Sequence, residues 1–282
     1  MHWLFSGPLS VEKIAVNIPD LPSSLDGTRL VQLSDLHYDG LRLSNKMLEE
    51  AIAITNDAEP DLILLTGDYV TDDPSPIYQL VKHLKHLQAP AGICAVLGNH
   101  DVHYKYSQTV ITDALTSIGI KVLWNEIAYP LGKDLPIVGF ADYWSGEFKI
   151  ASVLSQLEEA IPRIVLSHNP DTAELLKKWR VDLQLSGHTH GSQFVLPGMG
   201  PIVIYYNQLI RKIPRKIRKY IPFLRANWGK VVSNWEWAQG FHKVGKNQLY
   251  VNRGLGTYPP GRLFCPPEVT IITLLSDSTL YK

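Results

Sequence analysis

The stretch Asp61-Leu62-Ile63-Leu64-Leu65-Thr66-Gly67-Asp68 sets the reading of this 282-residue chain. Its short continuous apolar run fits a strand buried on both faces, and that strand ends in a turn carrying a carboxylate. The arrangement recurs on either side. Upstream, Arg29 to Leu33 delivers Ser34-Asp35-Leu36-His37. Downstream, Ile93 to Leu97 opens into Gly98-Asn99-His100-Asp101, and Arg163 to Leu166 into Ser167-His168-Asn169-Pro170. Val181 to Leu185 then ends in Ser186-Gly187-His188-Thr189-His190-Gly191.

Helical patterns separate these strands. Ser44 is a suitable N-cap for a helix whose Met47, Leu48, Ala51 and Ile52 share one face. Others are expected around Ile77 to Leu87, Gln108 to Ser117, Ile150 to Ile161 and, briefly, Leu175 and Leu176. Further strands are expected from Val11 to Ile18, Ile120 to Leu123, Leu135 to Phe140, Gln248 to Val251 and Val269 to Leu275. Strands alternating with helices argue for an α/β fold. They outnumber the needs of one doubly wound sheet, so two sheets packed together between helices are expected.

With 45% hydrophobic and 19% charged residues the chain can bury one large core. We expect a single domain over residues 1–282, with 196–246 as an insertion or basic-apolar cap. Lys plus Arg equals Asp plus Glu at 27 each, so no global field favours nucleic acid as a partner. Cys94 and Cys265 are too far apart in sequence for a zinc or redox motif and read as buried thiols of a reducing compartment. Met1 to Pro8 lacks the charge and apolar length of a signal peptide or span. The expected location is the cytoplasm, with the inner face of the membrane open to peripheral contact.

Asp35, His37, Asp68, Asn99, His168, His188 and His190 all follow core strands, at the edge where ligand groups of α/β sheets converge. Asp35 and His37 alternate and can chelate one ion. His188 and His190 repeat that spacing and could serve one ion each. Asp68 can bridge two cations and offset their repulsion, and Asn99 adds a neutral oxygen. Such donors without thiolate suit manganese, iron, zinc, cobalt or nickel; two divalent ions, manganese first, are the expected cofactors. A water activated between them would attack phosphorus in line. His100, next to Asn99, could protonate the leaving group, with Asp101 orienting its ring. Asn99, Asn252 and Arg253 are candidate substrate contacts, Arg253 as a phosphate fork.

In this ordered set the chain resembles the calcineurin-like metallophosphoesterase family, whose motifs are Asp-x-His, Gly-Asp, Gly-Asn-His-Asp/Glu, a later His, and Gly-His-x-His. The resemblance runs from about residue 29 to 275. It implies a four-layered fold, α-β-β-α, with two packed mixed sheets. It also implies that Asp35, His37, Asp68 and His190 hold one metal, and Asp68, Asn99, His168 and His188 the other. Tyr250-Val251-Asn252-Arg253-Gly254-Leu255-Gly256 and Cys265-Pro266-Pro267-Glu268 are most similar to YkuE-type phosphodiesterases. Ser192 stands where that subgroup commonly has glycine, and its frequent N-terminal membrane segment has no counterpart here. The implied activity is phosphodiester or diphosphate hydrolysis. Phosphomonoesters are an alternative, as is a lipid A role like that of UDP-2,3-diacylglucosamine diphosphatases.

Substrate choice points to Leu183 through Trp235, which holds eight basic residues and no acidic one. Ile210, Ile213, Ile217 and Ile221 recur near helical spacing beside Arg211, Lys212, Arg215 and Lys216. A short helix there could present an apolar stripe and a cationic face to anionic lipid or a lipid-linked substrate, with Pro214 and Pro222 limiting its regularity.

Overall fold

The computed structural model describes residues 6–104, 106–213 and 231–276 and, at 211 and 212, the backbone alone. The first half runs β1 (Ser10–Asn17), β2 (Arg29–Leu33), α1 (Asn45–Asp57), β3 (Leu62–Leu65), α2 (Ile77–Leu84), β4 (Ile93–Ala95), α3 (Ser107–Ser117) and β5 (Lys121–Val122). Then come β6 (Glu126–Ala128), β7 (Ile137–Gly139), α4 (Ile150–Leu154), β8 (Ile164–Leu166), α5 (Thr172–Leu176) and β9 (Leu183–Ser186). The last part holds a hairpin of β10 (Val195–Leu196) and β11 (Gly200–Pro201), α6 (Ile202–Lys212), β12 (Gly240–Val244), β13 (Asn247–Val251) and β14 (Glu268–Leu275).

Two six-stranded mixed sheets result, ordered β1-β14-β2-β3-β4-β5 and β12-β13-β9-β8-β7-β6. In the first, only the β14–β2 pairing is antiparallel. In the second, β13, β9, β8 and β7 run parallel between two antiparallel edges.

The strand period of two divides the apolar residues between cores. Leu30, Leu62 and Leu64 meet Ile137, Ile164, Leu166, Leu183 and Leu185 between the sheets. Val31, Leu33, Ile63 and Leu65 face the other way, onto Leu48, Ile52, Leu80, Leu84 and Leu115 of α1, α2 and α3. Val138 and Val165 likewise pack outward against Val153, Leu154 and Leu176 of α4 and α5. The layers are therefore helix, sheet, sheet, helix. Ser44 caps α1 by accepting from the Met47 amide, a contact worth about 1 kcal/mol.

Several boundaries differ from expectation for identifiable reasons. The helix expected to reach Ile161 stops at Leu154, because the Arg163 guanidinium takes the carbonyls of Glu158 and Ile161 and holds that segment in a turn. β6 and the β10–β11 hairpin are short and partly exposed, leaving little periodicity to read. β12, inside the expected 196–246 insertion, is an edge strand of the second sheet. Of the stripe expected from Ile210 to Ile221, Ile210 lies in α6, which starts at Ile202, and Ile213 is extended at φ −93°, ψ 125° before Pro214, as the residue preceding proline prefers. Residues 214–230 lie outside the described part. Cys94 and Cys265 are buried free thiols.

Leu64→Ala should cost about 2–5 kcal/mol in urea unfolding by opening a cavity between the sheets. Leu41→Ala, at a side chain 72% exposed, should stay within about 0.5 kcal/mol of the parent.

Candidate metal centre

The parallel strands β2, β3 and β4 of one sheet and β8 and β9 of the other deliver their following residues to one place. The backbone bends sharply there: Asp35, His37, Asp68, His188 and His190 all have positive φ, between 41° and 72°. Non-glycine residues adopt this region at a cost and mainly where surrounding structure compels them. The Asp35 amide donates to Gly67 O at 2.9 Å and the His37 amide to Asp68 O at 3.0 Å, locking two of these turns together. Neighbouring glycines make the room. A Cβ on Gly98 would lie 2.2 Å from Asp68 Oδ1, and one on Gly187 2.1 Å from Asp35 Oδ2.

Two groups of donors meet at Asp68. In one, His37 Nε2 lies 3.1 Å from His190 Nε2 and 3.5 Å from Asp68 Oδ2, and Asp35 Oδ1 lies 3.5 Å from His190 Nε2. In the other, His168 Nε2 is 3.0 Å from the same Asp68 oxygen and 3.2 Å from His188 Nδ1. Asn99 Oδ1 is buried with no hydrogen-bond partner among the described residues. An orphaned buried carbonyl oxygen is costly unless something coordinates it.

The ring nitrogens on the far sides are engaged. His168 Nδ1 faces Thr66 O at 2.7 Å, His188 Nε2 faces Val231 O at 2.9 Å, and His190 Nδ1 faces Gly256 O at 3.2 Å. Carbonyls only accept, so these nitrogens carry the protons and the opposite nitrogens turn lone pairs inward. Metal-binding histidines are held this way. Burial depresses His37 and His190 to about 3 and His188 to about 4, keeping their lone pairs available. His168 is the exception: burial pushes it down, but the Asp68 carboxylate outweighs this and raises the ring to about 10, so its inward Nε2 holds a proton shared with Asp68 that a bound cation would displace. Asp68, opposed by burial, is held well below the usual carboxylate range by His168 and His100. Carboxylates, inward lone pairs and a free amide oxygen fit two divalent cations: Asp35, His37, His190 and Asp68 could hold one, and Asp68, His168, His188 and Asn99 the other.

The remaining expected residues divide. His100 lies beside this cluster, its amide donating to Asp68 Oδ1 at 2.9 Å and its Nδ1 2.6 Å from Thr71 O. Asp101 does not orient that ring. Its buried carboxylate accepts from the amides of Asp68, Gly98 and Tyr69 at 2.7–2.8 Å, so it braces the turn carrying Asp68. Burial and the nearby Asp68 push it up to about 7. Nor do Asn252 and Arg253 reach the cleft. Asn252 accepts from Gly254 N and donates to Thr270 Oγ1 beneath the site, while Arg253 pairs with Glu12 and Glu268.

The cleft over the cluster measures about 480 Å³ and is walled by Trp144, Val231, Trp235, Tyr258 and Pro259. Trp144, Val231, Tyr258 and Pro259 did not stand out in sequence, since isolated loop residues carry no spacing signal. Arg262 was equally unmarked. Its guanidinium binds the carbonyls of Arg253, Gly254, Gly256 and His190, tying the 253–257 loop to the last motif.

Comparison with known proteins places these observations in context. The calcineurin-like phosphoesterase family model matches residues 28–192, which include all seven candidate ligands. The Bacillus subtilis (strain 168) metallophosphoesterase YkuE, named as uncharacterized, is 34% identical over 92% of this chain and 82% of its own length. Phosphodiesterase YaeI of Escherichia coli (strain K12) is 33% identical over 88% of this chain and 82% of its own. UDP-2,3-diacylglucosamine pyrophosphatase LpxG of Chlamydia trachomatis is 27% identical over 95% and 90%.

Asn99→Ala should leave the metal-free melting temperature unchanged or raised, because a buried unpaired oxygen is removed, yet diminish the rise on adding manganese. Asp101→Asn should lower metal affinity about 10–100-fold in calorimetry. Unchanged affinity in both variants would contradict this donor assignment.

Proposed function

Because this chain belongs to the calcineurin-like phosphoesterase family and so is a phosphoric ester hydrolase, we propose that it cleaves phosphodiester or diphosphate bonds with two divalent cations, manganese first among them. The supporting observation is the shared Asp68 carboxylate between two inward-facing donor groups, one containing the unpaired Asn99 oxygen. When bound, such a pair acidifies a water and neutralises phosphoryl charge. The side chains do the rest. His100, its Nδ1 fixed by Thr71 O, turns Nε2 toward the cleft and gives a proton to the departing oxygen. Asp101 keeps Asp68 in register. We read residues 1–282 as one catalytic domain, with 196–246 forming part of the cleft wall through Val231 and Trp235.

A diester is favoured over a monoester because the cleft of about 480 Å³ is lined, besides the donors, by Trp144, Val231, Trp235 and Pro259, an apolar wall suited to a second ester arm. Two relatives carry names of that chemistry, a phosphodiesterase and a diphosphate-cleaving enzyme of lipid-linked nucleotides. The manganese-loaded protein should turn over bis(4-nitrophenyl) phosphate faster than 4-nitrophenyl phosphate, and a nucleotide-linked diphosphate forms the third arm. Asp68→Asn should reduce metal content and turnover by about 100-fold or more. His100→Ala should retain metal and lose about 10²–10⁴ in kcat, less for aryl leaving groups that depart without a proton. Monoester preference would overturn the diester assignment.

A second reading concerns the surface beside the cleft. Met199, Tyr205, Leu209, Leu263 and Phe264 are exposed large apolar side chains on the β10–β11 hairpin, α6 and the 262–265 loop. These segments are joined, since the Leu263 amide donates to the carbonyl of the cleft residue Gln193 at 2.8 Å. In the sequence, α6 is followed by the basic stretch from Arg211 to Lys230. Apolar side chains beside cationic ones suit an anionic bilayer, from which a lipid-linked substrate would be drawn. Vesicles containing phosphatidylglycerol should sediment the protein and neutral phosphatidylcholine vesicles should not. Leu209→Glu with Phe264→Glu should abolish this while sparing turnover of the soluble diester.

A further inference from the structure

The histidine partners reveal one exception. His100, His168, His188 and His190 each set their outward ring nitrogen against a backbone carbonyl. His37 instead sets Nδ1 against a side-chain hydroxyl, that of Tyr258, at 3.2 Å. The chemical difference matters, because a carbonyl only accepts whereas a phenol accepts and donates at once. The same hydroxyl lies 3.5 Å from His100 Nε2. One oxygen therefore stands between a candidate metal ligand and the candidate proton donor.

Tyr258 is held from several sides. Its amide donates to Gln193 Oε1 at 2.7 Å and its carbonyl accepts from Gln193 Nε2 at 3.2 Å. Gln193 follows the His188–His190 motif closely and itself adopts φ 58°. The Arg42 guanidinium sits 4.4 Å above the phenol ring, within cation–π range. Arg42 is anchored in turn by Asp39, which also accepts from Thr71 Oγ1 at 3.0 Å. Thr71 supplies the carbonyl that fixes His100. The ring edges of His37 and His190 complete the enclosure, with centroids 5.0 and 5.2 Å from that of Tyr258.

We propose that Tyr258 is a positioning residue: its hydroxyl oxygen accepts a hydrogen bond from His37 Nδ1 and, when His100 carries the proton it will give up, one from His100 Nε2, setting the tautomer of the first and the aim of the second. With its proton on Nδ1, His37 turns the Nε2 lone pair toward Asp68 and His190. With Nε2 held by the phenol, His100 faces the cleft where a departing oxygen would lie. No bond is made or broken at Tyr258. Its hydroxyl passes an orientation from the metal side of the cleft to the proton-donor side.

This inference rests on the two-cation hydrolase reading, so its test uses Tyr258→Phe, which keeps the ring under Arg42 and removes only the oxygen. Nitrogen-15 spectra of histidine-labelled, metal-free protein should show His37 with its proton on Nδ1 in the parent and a mixture of tautomers in the variant. Calorimetry should show manganese affinity about 10–100-fold weaker. At saturating manganese, kcat for a diester with an alkyl leaving group, which needs the His100 proton, should fall while KM changes little. A variant with the parent's His37 tautomer and metal affinity would overturn the proposal, even if its turnover fell. A parent protein inert toward every phosphorus ester would count against the hydrolase reading alone, because the tautomer and affinity measurements still decide the role of Tyr258.

Discussion

Everything in this molecule answers to one electrostatic demand, the crowding of electron pairs around Asp68. Two buried carboxylates and four imidazole nitrogens point at one another across 3.0–4.0 Å. Buried anions and lone pairs brought this close repel unless positive charge lies among them. The protein spends backbone strain to reach that arrangement, with five of the ligating positions in the left-handed region. Such strain persists only where surroundings dictate it. Here they do so through amides that bind Asp35, Asp68 and Asp101 and through glycines that leave no gap around the carboxylates.

The donors are split between the two sheets. Asp35, His37, Asp68 and Asn99 follow strands of the first, and His168, His188 and His190 follow strands of the second. Their spacing is consequently a property of how the sheets pack. Apolar contact between Leu62, Leu64, Leu166 and Leu185 sets the separation, but it is non-directional and would tolerate sliding. Gln32 supplies direction. Its side-chain amide donates to Ser186 O in the opposite sheet and to Thr66 Oγ1 in its own, each at 3.0 Å. Thr66 continues through Ser34 to Asp35. A buried polar network of this kind specifies register where hydrophobic packing alone would not.

What could be read from sequence was what repeats. Fully apolar strands such as Leu62 to Leu65 and Ile164 to Leu166, each followed by a small residue and a donor, located the sheets and the donors without any contact information. Where the signal failed, the missing quantity was orientation. Asp101 looked like a partner for the adjacent His100, but a carboxylate three positions after Gly98 folds back onto the amides of its own turn. Arg253 carried the right charge for phosphate, yet Glu12 and Glu268, 241 and 15 positions away, had already claimed it. Tyr258 gave no signal, since its meaning lies in two histidines more than 150 positions upstream. Of the edge strands, β1 and β5 were expected, whereas β6 and β12 of the second sheet were missed, being short and partly exposed.

The strand order carries a consequence for how the chain comes into being. β14 lies between β1 and β2, pairing with β1 along its whole length and with β2 from Thr270 to Thr273. Until residue 268 and those after it emerge from the ribosome, β2 has an open, unpaired edge and β1 has no neighbour at all. β2, β3 and β4, joined by short parallel crossovers around α1 and α2, can assemble early, but such a partial sheet displays the bare edge that invites pairing with other chains. The active constellation thus waits on β14, made after every other described strand, and a nascent chain stalled short of it would be a candidate for chaperone capture and not yet a catalyst.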